Sequence, residues 1–210
     1  MSPYLSDTLV GTEELLDMIE SAIIRDINEA LATVYERRTP LDQARAALRG
    51  EEFVPLEYED VPVNHVWAGN FPSTVLEEVG PEAYPYVAIT IDDVIPDAED
   101  LMQDHVNVYR NGFTLHSLAK ATPEGEVNGQ GIDPASDKVL RRAVRMGEAL
   151  HLVMTSDPTM IRLISGGSNP TRGQHSLPWR YQHQGVGLNF WFQAVGTTYA
   201  IKSYSAPWSS

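Results

Sequence analysis

The chain has 210 residues, 42% of them hydrophobic, no cysteine, and 29 acidic against 15 basic residues, for a formal charge of -14. That composition builds a packed globule, and the lack of cysteine excludes disulfides, thiolate catalysis and cysteine-ligated metals. Such acidity repels phosphates and argues against wrapping nucleic acid, although it suits a surface past which DNA slides; solubility alone is the plainer explanation.

Residues 1–10 read as an irregular arm without the basic start and apolar core of a signal peptide. From Thr12 to Arg38 the pattern is a long amphipathic helix. Thr12 is the expected cap, Glu13 and Glu14 suit the positive end, and Arg37 and Arg38 the negative end. Leu15, Ile19, Ala22, Ile23, Ile27, Ala30, Leu31 and Val34 form its stripe, widened by Ile24 and Tyr35. Thr39-Pro40 is expected to restart a short helix through Leu48, with Leu41, Ala44 and Leu48 facing one way and Gly50 ending it.

Glu51 to Asp60 reads as an acidic linker or edge segment. Val61 to Ala68 is an edge-strand candidate because of Pro62. A helical turn is expected at Ser73 to Val79. YVAITI, Tyr86 to Ile91, predicts a central strand. Six acids among the thirteen residues Asp92 to Asp104 predict a solvated acidic loop. Asn111-Gly112 is a strong hairpin-turn signal between the alternating Val106 and Val108 and a strand Phe113 to Ala121.

Thr122 to Ile132 reads as a loop. Asp133 to Met154 is the clearest helix: Asp133 caps it and Pro134 takes its first position. Its stripe is Val139, Leu140, Ala143, Val144, Gly147, Leu150 and Met154, with Lys138, Arg141, Arg142, Arg145 and Glu148 on the other side. Burying that stripe is worth on the order of 10 kcal/mol gross. Met160 to Ser165 reads as a short strand and Gly166 to Gly185 as a long irregular loop. Such a loop is usually functional or part of an interface. Val186 to Gln193 alternates as a strand, Gly196 to Thr198 is expected to bend or bulge, and Thr198 to Tyr204 continues or returns as a last strand. The expected domain is a single one, 1–210, with an insert at 43–84 and a tail at 205–210. No run approaches the roughly 18 apolar residues of a membrane span.

No pattern in the chain forms a recognised catalytic constellation. The Asp92–Asp104 acids lack the ligand spacing and central glycine of a calcium loop. The six histidines lack the paired spacing of a helical zinc site; His105 and His116 facing each other across the hairpin is the weak exception. ISGGSNPTRG, Ile164 to Gly173, follows a strand but lacks the lysine and helix of a phosphate loop. Ser165, Ser168 and Ser176 have no nucleophile elbow around them. Trp179, Tyr181 and Trp208 are interface anchors if the long loop is an arm, or local packing if it is not.

The order of elements carries a resemblance: a long N-terminal helix, the strand in YPYVAITIDD (Tyr84 to Asp93), a hairpin around Asn111-Gly112, the helix Pro134 to Met154, and late strands around LNFWFQAVGTTYAI. This layout resembles the tail terminator, or tail completion, proteins of long-tailed double-stranded DNA bacteriophages, over roughly Thr12 to Tyr204. The resemblance implies an α+β fold, a mixed or antiparallel sheet packed on one face by the N-terminal helix and a second helix. It also implies a virion protein without catalytic residues, metal or cofactor, assembled in the host cytoplasm. Copies would form a hexameric ring that caps the tail tube, ends its polymerisation and meets the head–tail connector or stopper. DNA would pass through the channel without specific binding.

In such a ring the band Arg141, Arg142 and Arg145 is expected to meet Asp97, Glu99 and Asp100 of the next copy. Arg172, Trp179, Tyr181 and Trp208 would add contacts. Reversing Arg141 and Arg145 to Glu would then impair ring closure and leave the monomer folded. The competing expectations are another neck or tail structural protein, such as a stopper or tube subunit, and a small-molecule-binding or enzymatic α+β domain. The last would need a pocket with convergent polar groups and perturbed acids.

Overall fold

The computed structural model describes residues 11–69, 85–96, 107–121, 134–157, 160, 179–181 and 191–205. Among the described residues two helices, α1 (Thr12–Arg49) and α2 (Pro134–Ser156), accompany five strands: β1 (Val66–Ala68), β2 (Tyr86–Pro96), β3 (Asn107–Ala121), β4 (Trp179–Tyr181) and β5 (Trp191–Ser205). The strands form one mixed sheet in the order β1-β2-β3-β5-β4. Only β1 runs parallel to its neighbour; the other pairs are antiparallel. The α+β class and the placement of both helices against the sheet are as expected.

The helix-side face of the sheet carries Val87, Ile89, Phe113, Leu115 and Tyr199, which share one buried cluster with α1 and α2. From α1 this cluster takes Leu15, Ile19, Ile23, Ile27, Leu31, Val34 and Tyr35, and from α2 Met146, Leu150, Val153 and Met154. A smaller cluster of Ala119, Val139, Ala143 and Val195 continues it toward the start of α2. Seating α2 requires close approach. A Cβ on Gly147 would lie 3.4 Å from both Ser117 Oγ and Val195 Cγ1. The buried Ser117 hydroxyl lies 2.8 Å from the Ala143 carbonyl and 3.1 Å from that of Val195, so its donor is satisfied where the helix touches the sheet.

Several expectations are corrected. Pro40 does not break the first helix: one helix of 38 residues runs from Thr12 to Arg49 with Pro40 inside it. The loss of one backbone donor is tolerated because both flanking segments are fastened elsewhere, the preceding one in the core and the following one through Asp42. Gly11, not Thr12, is the cap residue. At the other end Gly50 takes the left-handed conformation at φ 67°, as its position after the helix requires.

Asn111-Gly112 is not a turn but the middle of β3. Gly112 pairs with Asp93 on one side and Ala200 on the other, so two neighbouring strands override the local turn preference. The register shift between Ile91 and Asp93 puts one extra residue, Asp92, on β2 opposite the Gly112–Phe113 step of β3, which is a β-bulge. Asp92 to Pro96, expected to begin an acidic loop, extends β2 instead. Gly196 does not bend β5, whose register with β3 is continuous. A Cβ there would lie 3.2 Å from Thr114 Cγ2 and 3.4 Å from His116 Nδ1, so this glycine serves close cross-strand packing. Trp179 and Tyr181 belong to strand β4 rather than an irregular loop.

Val61 to Ala68 is mostly not strand; a 3₁₀ turn, Val63–His65, precedes the three-residue β1. Met160 is helical, not the start of a strand. The expected turn at 73–79, the cap Asp133, the loop 122–132 and most of 161–190 lie outside the described residues.

Pro40 generates a test. Pro40→Ala restores a backbone donor inside α1 and should raise stability by about 1–3 kcal/mol, read as a higher urea midpoint with unchanged slope. A lower midpoint would mean that α1 depends on a proline-induced bend.

Candidate functional site

Charge and aromatic residues converge where the C-terminal half of α1 meets α2. Arg38 forks onto Glu148, with Nε 3.0 Å from Oε2. One turn on, Asp42 accepts from Arg145 Nη2 through Oδ2 and lies 3.5 Å from Arg141 Nη1 through Oδ1. Arg141 also donates to Asp137, 2.6 Å away and one helical turn earlier. The Arg145 guanidinium sits 4.7 Å from the centre of the Tyr35 ring, and Tyr35 in turn packs against Tyr58 with ring centres 4.7 Å apart. Arg142 donates to the Glu57 carbonyl at 3.2 Å. The extended chain after α1 is held again by Asn28, whose side-chain amide exchanges two hydrogen bonds with the backbone of Val61.

This geometry revises the basic band. Arg145 was expected on the outer side of α2, yet it is only 5% exposed. Helix α1 covers that flank, so α2 is buried on two sides rather than along one stripe. Arg141, Arg142 and Arg145 all have partners within their own chain. Reversing Arg145 therefore disturbs the fold itself and is not a clean test of subunit contacts. Beside the band, Arg45, Arg49, Leu56, Lys138 and Arg141 border a surface cleft of about 480 Å³, open and of mixed charge. Asp97, Glu99, Asp100, Arg172 and Trp208 lie outside the described residues, and Trp179 and Tyr181 are brought to the β4 edge of the sheet.

Two histidines are placed by the fold. His116 Nε2 lies 3.1 Å from Thr90 Oγ1, across β2 and β3. The Asn111-Gly112 turn expected to set it opposite His105 is not formed, and His105 lies outside the described residues. His151 Nδ1 lies 3.0 Å from the Tyr199 hydroxyl, with the two rings stacked. Burial pushes the Tyr199 phenol well above its ordinary range. Tyr35 is pushed up to about 12, chiefly by burial and against the pull of Arg145 and Arg142. Among the described residues no group of three or more His, Cys, Asp or Glu is placed to hold a metal ion. No helix there is long and apolar enough to cross a membrane.

Sequence reasoning missed Asp42, which ties α1 to α2, and Asn28, which ties the following chain back to α1. Their signal was faint: Asp42 is the single acid in residues 37–49, and Asn28 a lone amide on an otherwise apolar flank. A comparison with known protein families matches none to this chain, and a comparison with curated proteins finds no match.

Two predictions arise here. Asp42→Ala leaves Arg145 buried without its anion and should cost about 3 kcal/mol, measured by denaturant unfolding. The loss should persist in high salt, since a buried pair is weakly screened. A change under about 0.5 kcal/mol would show that the Tyr35 ring suffices for Arg145. The tyrosines predict the alkaline limit. Below about pH 10 the Tyr35 phenol is protonated whether folded or unfolded, and its contribution is complete. As pH rises from about 10 through about 12, the unfolded chain loses the proton first and stability falls. Tyr35→Phe should flatten that fall in a series of urea midpoints; an unchanged slope would rule Tyr35 out as its source.

Proposed function

We propose that this chain is a structural virion subunit, a tail terminator of a long-tailed phage. Six copies form a ring that caps the tail tube, ends its polymerisation and joins the head–tail connector. The observation that carries the reading is the layout: a long N-terminal helix and a second helix lie side by side on one face of a mixed sheet, with a late strand returning between β3 and the edge. That is the arrangement the sequence resemblance implies.

The chain's acidity supports the reading as well. A channel lined by negative charge repels the duplex and lets it pass during ejection. The long α1, extending past the core, offers surface for a neighbour. Ring contacts between identical subunits join unlike patches, and the two ends of α1 differ in charge and apolarity.

The test is assembly. Purified chain mixed with growing tail tubes should bind one tube end, appear there as a ring by electron microscopy, and arrest lengthening. Filaments of the chain alone would instead indicate a tube subunit. Tubes that grow unimpeded and carry no added density would overturn the reading.

A further inference from the structure

The C-terminal end of α1 leaves apolar surface in water. No α1 residue beyond Tyr35 belongs to the core. Leu41 is 59% exposed and Leu48 89% exposed, and with Ala44, also exposed, they lie on one stripe at three- and four-residue steps. The exposed Arg37, Arg45 and Arg49 flank it. Basic residues at a helix C-terminus suit its dipole, but the dipole gives no reason for leucines there.

The other end of α1 is complementary. Residues 12–36 hold seven acids and one base, whereas residues 37–49 hold four bases and one acid. Near the acidic end lies a shallow cleft of about 270 Å³ lined by Met18, Ser21, Ala22 and Met160, with Asp17 on its rim and Arg25, already paired with Asp26 and Asp157, closing one side. We infer that Leu48 of one copy docks into the Met18–Met160 cleft of a second copy, with Arg45 and Arg49 facing Asp17 and its acidic neighbours. An apolar knob and a cleft at opposite ends of one element join copies head to tail. Elsewhere a chain of charge -14 repels its own copies, so the basic end is where a second copy is attracted. The assignment rests on the ring reading for its closure and adds which surfaces meet.

The absence of cysteine makes a direct test available. Ser21→Cys and Ala47→Cys flank the cleft and the knob without removing either. Along one helix these positions are about 39 Å apart, far beyond the reach of a disulfide within one chain. Mild oxidation of the double variant should give a ladder of covalent multiples, and each single variant only monomer. Leu48→Asp, at an exposed position, should abolish the ladder and weaken self-association about tenfold or more, with the unfolding midpoint unchanged.

The contact is overturned if light scattering shows oligomers without a ladder, an outcome that leaves the ring reading standing. It is also overturned by a strict monomer at all concentrations, or if Ala47→Cys alone gives dimers, which marks a symmetric contact. It falls again if Leu48→Asp frees the chain from tail tubes while self-association persists, because the stripe then serves an unlike protein. A ladder from chains that never bind tubes would support the contact and sink the terminator reading.

Discussion

Helix α2 has to satisfy two surfaces at once, and the rest of the described structure follows from that constraint. On one flank it presses on β3 and β5, closely enough that Gly147 and the Ser117 hydroxyl form the contact. On the other it meets α1. A helix seated this way has few solvent-facing positions, so Arg145 is carried inside. A buried guanidinium is tolerable only when paired and hydrogen-bonded. Asp42 supplies the anion and Tyr35 the ring, and both are on α1. For Asp42 to reach that point, α1 must continue past Pro40 as one helix.

The polar contacts between the helices set register more than they add stability. The hydrophobic cluster beneath them is large, whereas ion pairs at partly exposed positions are worth about 1 kcal/mol or less each. Arg38–Glu148 between the helices and Asp137–Arg141 within α2 are of that kind. Arg145–Asp42 differs because its arginine is desolvated. Removing one partner costs far more than the pair itself contributes, and this penalises any sliding of α1 along α2. Asn28 acts similarly on the chain that follows, since its amide fits the Val61 backbone at one position only.

Beyond this lock, the last turns of α1 leave the core. Their leucines contribute nothing to the buried cluster of their own chain, while their charge opposes that of the helix's first half. An element built this way is rigid, because it is continuous with a core helix, and it presents its surface without an ordering cost at the moment of contact. Those properties suit the contact between copies proposed above.

Local patterning determined the periodic elements. The apolar residues of α1 at three- and four-residue spacing are the ones buried as far as Tyr35, and YVAITI is the β-rich run that forms the heart of β2. Gly50 was legible as a helix end because its conformation is a property of the residue itself. Where sequence and structure part, a neighbour distant in sequence decided. Asn111-Gly112 prefers to turn, but strands on both sides hold it extended. Gly196 looks like a bend, yet it is a clearance for Thr114 and His116. Pro40 signals a break that the anchoring of Asp42 overrides, and Arg145 reads as a surface cation until α1 is placed over it. Periodicity records which face of an element is apolar; only tertiary packing decides how many faces are covered, and by what.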